Sequence, residues 1–168
     1  MEKDRARLPV PNGTPKQARP PRLRNSPVGK SFMGLDDSGA VALAALPRAG
    51  ETFAFAASGV DRRTMRDLES GAMAPAATLD LHGQRALAAE VTLAAFLRAS
   101  VAGGRRVIQV IHGRGSGSGS SGPVLRRQVL EQLTQPPLAT LVLAVVAAPP
   151  RWGGPGASLV LLRRAKGG

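Results

Sequence analysis

The sequence predicts a two-layer α/β sandwich of βαβαββ order with a mixed four-stranded sheet, preceded by a disordered basic N-terminal arm. Between residues 78 and 164, short apolar runs alternate with longer runs of helical period, which is typical of a layered α/β domain. Glycine or proline separates one run from the next. Residues 1–30 instead carry six prolines and eight basic residues with few apolar ones, a composition typical of disorder.

The chain before residue 78 is less regular. Residues 31–57 contain scattered Phe, Leu and Val, but Gly and Pro interrupt any period, so no element is assigned there. A short charged helix is predicted over 62–70, between Asp61 as N-cap and Gly71 as C′ residue. We therefore divide the chain into a disordered or partly packed extension (1–57), a short helix and linker (58–77), the α/β domain (78–164) and a tail (165–168).

The α/β domain begins with a strand over 78–81 that Gly83 ends, followed by a helix over 84–101. Apolar residues at 87, 91, 94 and 101 predict the buried face of this helix. A second strand over 107–111 leads into a Gly/Ser loop over 113–122, and Pro123 suits the first position of a second helix. The predicted apolar positions of that helix are 125, 129 and 133.

The last two strands are predicted over 140–147 and 157–162, with Pro136-Pro137 before the first and a Gly-rich turn between them. Both are almost entirely apolar, which implies burial on both faces of the sheet. Two helices cover only one face. We therefore expect residues 31–57 to cover the other.

A candidate site lies where the first two strands end. Asp80 and His82 are two residues apart, so they project from one face of their strand. His112, the only other histidine, also closes a strand and also precedes a glycine. A helical crossover makes the two strands parallel, so both imidazoles are expected at one edge, where open α/β sheets bind ligands. The alternative is that Asp80 bonds nearby backbone and His82 is an ordinary surface residue.

The charge favours a polyanionic partner. Net charge is +12, and residues 79–168 alone carry eleven Lys or Arg against three acids. This excess favours nucleic acid, although solubility alone is the alternative. With no Tyr and one Trp, affinity should come from phosphate contacts with little sequence readout. The arginines expected around the site are Arg85, Arg105, Arg106, Arg114, Arg126, Arg127 and Arg151.

The sequence also bears on disulfides, membrane segments, phosphate loops and metal sites. The absence of cysteine excludes disulfides and thiolate metal sites. No apolar run is long enough for a membrane span, and residues 1–30 lack a secretory signal, so we expect a soluble cytoplasmic protein without membrane partners. The Gly/Ser loop suits a phosphate, but it lacks the lysine of a Walker A loop. No cofactor is predicted, although zinc on Asp80, His82 and His112 stays open.

Three sequence blocks together resemble the Smr (small MutS-related) domain family. They are Leu-Asp-Leu-His-Gly at 79–83, Ile-His-Gly-Arg-Gly at 111–115 and Gly-Gly-Pro-Gly-Ala at 153–157. The resemblance covers residues 78–164, and the segment from Asp61 to Gly71 resembles the one that precedes the domain in stand-alone bacterial members. It implies nucleic-acid binding, with RNA cleavage or DNA nicking in several members. Its functional residues fall on Asp80, His82, Gly83, His112, Gly113, Arg114 and Gly115.

We therefore expect a weakly sequence-selective endonuclease, acting on RNA, with DNA nicking left open. The alternative is a nucleic-acid or ribosome binding module without chemistry. An imidazole titrates near neutral pH, so His82 is expected as base or acid, with Asp80 orienting it and His112 as a candidate partner in proton transfer. The expected nucleic-acid contacts are Gly83, Arg85, Gly113, Arg114, Gly115, Arg126, Arg127 and Arg151. Asp80 is the only carboxylate at the candidate site, which is too few for a two-metal mechanism. The simplest nucleophile left is the RNA's own 2′-hydroxyl, which needs no metal.

Overall fold

The computed structural model describes residues 32–34, 52–114 and 124–165. The arm predicted at 1–30, Gly115 with most of the Gly/Ser loop, and residues 166–168 lie outside the described residues. The elements in chain order are β1 (Phe32–Gly34), β2 (Ala54–Ala56), α1 (Arg62–Glu69), β3 (Ala77–Asp80), α2 (Ala86–Ala102), β4 (Val107–Ile111), α3 (Val124–Thr134), β5 (Val142–Ala147) and β6 (Ala157–Leu162). Short 3-10 turns occupy Leu138–Leu141, Pro150–Trp152 and Gly154–Gly156.

The strands form one mixed sheet in the order β1-β2-β5-β6-β4-β3. β3 and β4 are parallel, as the crossover through α2 requires, whereas β6 runs antiparallel to both β4 and β5. This confirms the predicted α/β fold and the βαβαββ order. The four predicted strands are extended by β2, antiparallel to β5, and by β1, parallel to β2. Each added strand has three residues, too few for a period to be recognised in the sequence.

The third predicted strand starts later than expected. Residues Leu138–Leu141 form a 3-10 turn, and β5 begins only at Val142. The Thr140 hydroxyl donates to the carbonyl oxygen of Pro137 at 2.6 Å, a local bond that favours the turn over an extended strand.

α2 and α3 cover one face of the sheet. Val129 and Leu133 of α3 are buried as predicted. The predicted face of α2 is wrong at its first two positions, whereas Val101 packs against the core as expected. Leu87 and Val91 are 73% and 66% exposed. The side chains that α2 buries are Ala89, Leu93, Leu97 and Ser100. Since α2 is apolar around most of its circumference, its periodicity does not select one side.

In the described part of the chain, α1 covers the other face. Of residues 31–57, which were expected there, only 32–34 and 52–57 are described, and residues 35–51 lie outside the described residues. Met65 and Leu68 of α1 pack on the side chains of β5 and β6, together with Met73 and Trp152. Residues 52–57 instead lengthen the sheet, and Phe53 and Phe55 point to the α2 and α3 side. The burial of β5 and β6 on both faces is therefore confirmed, and α1 is the cover of the second face among the described residues.

The ends of α1 follow the prediction. An Asp61 carboxylate oxygen accepts from the Thr64 backbone N–H at 2.9 Å, which is an N-cap bond. Gly71 has φ of +73°, and a Cβ there would lie 2.8 Å from Trp152 Cδ1. Glycine is thus needed both for the backbone conformation and for the close packing of Trp152. Among the described helices, none combines the length and apolarity that a membrane crossing needs.

Candidate nucleic-acid interface

The ends of β3 and β4 meet at one edge of the sheet, as the crossover predicts. Asp80 lies opposite Ile111, and the Leu81 N–H donates to the Ile111 carbonyl at 2.7 Å. Each strand then turns at a glycine of positive φ, +74° at Gly83 and +83° at Gly113. A Cβ on Gly113 would lie 3.7 Å from His82 Cβ, so the two turns are in contact. We call this end of the sheet, from Asp80 to Gly83 and from His112 to Arg114, the proximal edge.

Asp80 and His82 form a close pair on the surface. Nδ1 of His82 lies 2.6 Å from Asp80 Oδ1, which also accepts from the His82 backbone N–H at 3.0 Å. The Asp80 and His82 side chains are 48% and 70% exposed. The local bond to backbone that the alternative interpretation expects is therefore present, but the same oxygen also holds the imidazole.

The hydrogen bonds of this pair determine the ionisation of Asp80 and the position of the proton on the His82 ring. The bond from the His82 ring and the bond from its backbone N–H lower the pKa of Asp80, so this carboxyl is ionised near neutral pH. An ionised carboxylate only accepts hydrogen bonds, so the His82 proton sits on Nδ1. Nε2 makes no hydrogen bond with the residues that the structure describes. The geometry thus presents a solvent-accessible imidazole with an oriented Nε2.

His112 lies at the same edge but inside the protein, with 4% exposure. Its Nδ1 donates to the Gly113 carbonyl at 2.9 Å, and its Nε2 accepts from the Ser158 hydroxyl at 3.0 Å. Burial lowers the pKa of His112, and the nearby Arg126 charge lowers it further, against an opposite effect of the Gly113 bond. The ring is therefore neutral at neutral pH, with both nitrogens engaged within the protein.

The Gly-rich turn after β5 supports the loop that carries Arg114. The Gly156 carbonyl accepts from the backbone N–H groups of both His112 and Gly113, each at 3.0 Å. A Cβ on Gly156 would come within 3.2 Å of Arg114 Cγ, so a glycine lets the two chains approach closely. The three sequence blocks quoted for the family resemblance are thereby brought into one contiguous edge.

Sequence reasoning missed two polar residues that hold this edge. Ser158 binds His112, and Gln109 accepts from the Thr78 hydroxyl at 3.0 Å and donates to the Trp152 carbonyl at 2.8 Å. Each is the sole polar side chain of an otherwise apolar strand, β6 and β4 respectively. A lone polar residue in a buried strand was the available signal, since it must find a partner inside.

The predicted arginines divide into four groups, of which Arg105 and Arg106 form the last. Arg85, Arg114 and Arg151 are exposed and follow β3, β4 and β5 at their proximal ends. Arg127 is also exposed, but its Nε donates to Glu131 at 2.9 Å. Arg126 is not on the expected surface. It is 4% exposed, and its guanidinium lies 5.4 Å from the centre of the Phe53 ring, because α3 turns it toward the sheet.

Arg105 and Arg106 correct the expectation that the basic residues surround the site. They precede β4, whereas His112 follows it, so the whole length of β4 separates them from the proximal edge. The structure also does not assemble Asp80, His82 and His112 as a zinc site, since both His112 nitrogens are bonded elsewhere. Within residues 52–114 and 124–165, no three His, Cys, Asp or Glu side chains form a group able to hold a metal ion.

The sequence of this chain is similar to those of known proteins. Residues 79–163 match the family model of the Smr domain. The ribosome rescue factor SmrB of a Shewanella species is 39% identical over 104 residues, which cover 62% of this chain and 54% of that protein. The ribosome rescue factor SmrB of Shewanella oneidensis is 38% identical with the same coverage. This chain therefore matches about half the length of these relatives.

A solved structure supports the same fold. The crystal structure of YdaL, a stand-alone small MutS-related protein from Escherichia coli, superposes with a TM-score of 0.59 at 25% identity. The match covers 77% of this chain and 97% of YdaL.

Proposed function

The chain belongs to the Smr domain family, and on this basis we propose that it binds RNA at the proximal edge and cleaves it there. The observation that carries the proposal is the surface pair of Asp80 and His82, whose atoms Oδ1 and Nδ1 are 2.6 Å apart. An imidazole held by a carboxylate, with its other nitrogen free of hydrogen bonds to the described residues, is suited to act as a general base.

Binding is the better supported part of this proposal. The exposed arginines Arg85, Arg114 and Arg151 supply charge for phosphates at the proximal edge, with little means of reading base sequence. Two relatives are named ribosome rescue factors. We therefore propose that the bound RNA belongs to ribosomes or is carried by them, which also implies a cytoplasmic location. That name says nothing of cleavage, so a ribosome or RNA binding module without chemistry is the second candidate function.

Cleavage is proposed from the geometry of the histidine. His82 Nε2 takes the proton of the RNA 2′-hydroxyl, whose oxygen attacks the adjacent phosphorus. The bond from phosphorus to the 5′-oxygen breaks, which leaves a 2′,3′-cyclic phosphate, and that oxygen takes a proton from water. The proton on His82 Nε2 then neutralises the resulting hydroxide, so the base is regenerated. Asp80 keeps the His82 proton on Nδ1 and stabilises the imidazolium that forms. The Arg114 guanidinium stabilises the developing charge on the phosphate.

His112 is given a different role from the one expected. We propose that it positions the loop of Gly113 and Arg114, because both its nitrogens are bonded inside the protein and burial lowers its pKa. DNA has no 2′-hydroxyl, so this mechanism predicts cleavage of RNA alone.

The test compares the parent with His82→Ala on a labelled single-stranded RNA in EDTA. Leu87→Ala, at a 73% exposed position in the first turn of α2, is the control. We expect cleavage by the parent and the control, none by His82→Ala, and no cut where the RNA is 2′-deoxy at the scissile position. Thermal unfolding checks that both variants are folded.

Two outcomes contradict cleavage by this route. Normal cleavage of the 2′-deoxy substrate would exclude the 2′-hydroxyl as the nucleophile, and full activity in His82→Ala would exclude His82 as the base. Binding by all three proteins without any cleavage supports the second candidate, the binding module.

A further inference from the structure

A second group of arginines lies at the end of the sheet opposite to the proximal edge. Arg105 and Arg106 precede β4, while Arg163 and Arg164 follow β6. β4 and β6 are antiparallel neighbours, so the start of one strand and the end of the other share an edge. We call these four residues the distal arginine cluster.

Backbone and side-chain bonds hold the cluster together. The Leu162 N–H donates to the Arg106 carbonyl at 2.8 Å, and the Arg106 guanidinium donates back to the Leu162 carbonyl. The Arg163 N–H donates to the Leu141 carbonyl at 2.9 Å, which fixes the chain just after β6. Burial and the charge of Arg164 lower the pKa of Arg106, which reflects like charges held near one another.

The cluster has no acidic counterpart in the described part of the chain. Arg63 pairs with Asp67, and Arg127 pairs with Glu131. None of the four distal arginines makes an ion pair with a carboxylate of residues 52–114 or 124–165. Like charges gathered without a counter-charge are unfavourable in isolation, so the arrangement fits an anionic partner.

A purely structural role accounts for only part of the cluster. α2 ends at Ala102 beside Arg105, and a cation there stabilises the negative end of the helix. Arg163 and Arg164 follow a strand, and both are exposed. The helix end therefore gives no reason for their charge.

We propose that the distal arginine cluster is a second phosphate-binding surface, which holds the RNA backbone while another part of the same strand occupies the proximal edge. This inference rests on the proposed RNA binding. From Arg106 to His112 the chain runs the length of β4, a distance of about 20 Å at ~3.3 Å per residue. At ~3.4 Å per nucleotide, a base-stacked RNA strand needs about six nucleotides to reach both surfaces.

The test measures RNA affinity against salt concentration for Arg163→Ala/Arg164→Ala. The matched control is Arg63→Ala/Arg66→Ala, two exposed arginines of α1 whose loss changes the net charge equally. The RNAs are single strands of about 20 and about four nucleotides, 2′-O-methylated so that the parent cannot cleave them by the proposed route.

With the long RNA, we expect the distal variant to bind about tenfold more weakly than the control at low salt. Its slope of log affinity against log salt should fall by about 1.4, since each phosphate contact with a single strand contributes ~0.7. With the short RNA, which reaches only one surface, the distal variant should bind as the parent does.

The outcomes separate this inference from the proposed function. If the parent binds neither RNA, the proposed function fails, and this inference fails with it. If the parent binds the long RNA but the distal variant matches the control, the second surface is excluded while RNA binding stands. If the distal variant loses affinity for the short RNA as much as for the long one, a strand that joins the two edges is excluded.

Discussion

Replacing Ser158 with alanine should destabilise the protein more than replacing Ser100, although both side chains are fully buried. The Ser158 hydroxyl donates to Nε2 of His112 at 3.0 Å. Its removal leaves a buried acceptor without a donor, which costs about 1–3 kcal/mol of unfolding free energy. The Ser100 hydroxyl makes no hydrogen bond with the described residues. Its removal should be neutral or stabilising, with about 0.5 kcal/mol gained from the helix propensity of alanine.

Denaturant unfolding at neutral pH measures this difference, and hydrogen exchange locates it. The backbone N–H groups of His112 and Gly113 both donate to Gly156. We expect their exchange to accelerate in Ser158→Ala more than in Ser100→Ala, because the His112 imidazole that holds the loop loses its bond to Ser158. If the two variants unfold within about 0.5 kcal/mol of each other, the bond between Ser158 and His112 does not hold the proximal edge.

Two further predictions concern the proximal edge. Arg114→Ala should weaken binding of every single-stranded RNA and reduce the slope of log affinity against log salt by about 0.7. The control Arg66→Ala should leave both the affinity and the slope unchanged. If the two variants have equal affinities and slopes, Arg114 does not contact a phosphate. The pKa of His112 is lowered in the folded protein, so as the pH falls this imidazole is protonated in the unfolded chain before it is protonated in the folded one. The free energy of unfolding is therefore at its full value above about pH 6.5 and falls below that pH by at most ~1.4 kcal/mol per pH unit. Urea unfolding between about pH 7 and pH 5 should show a smaller decline in His112→Asn, and identical declines would contradict the neutral, buried ring.

The sequence alone determines the order of the elements within the α/β domain (78–164) and the position of the proximal edge. The period of a strand, the glycine that ends it and the parallel pairing required by a helical crossover all depend on residues near one another in the chain. Asp80 and His82 are close for the same reason, since two positions along an extended strand share one face. These features can be predicted without knowing any contact between residues that are far apart in the chain.

The resemblance to the Smr domain added the third block, the turn at 153–157. Composition or periodicity alone does not link that turn to His112. The structure supplies the physical link, because the Gly156 carbonyl accepts two backbone bonds from the loop that follows β4.

Tertiary structure decided which of the candidate residues face solvent. β4 is apolar on both faces, so alternation does not indicate which way His112 turns, and the packing of Ser158 and Gly113 against it places it inside. The charge of Arg126 likewise suggests a surface position, but its place on α3 directs it over Phe53. Exposure depends on which elements pack on each side of the sheet. That packing joins residues far apart in the chain, and local sequence patterns do not record it.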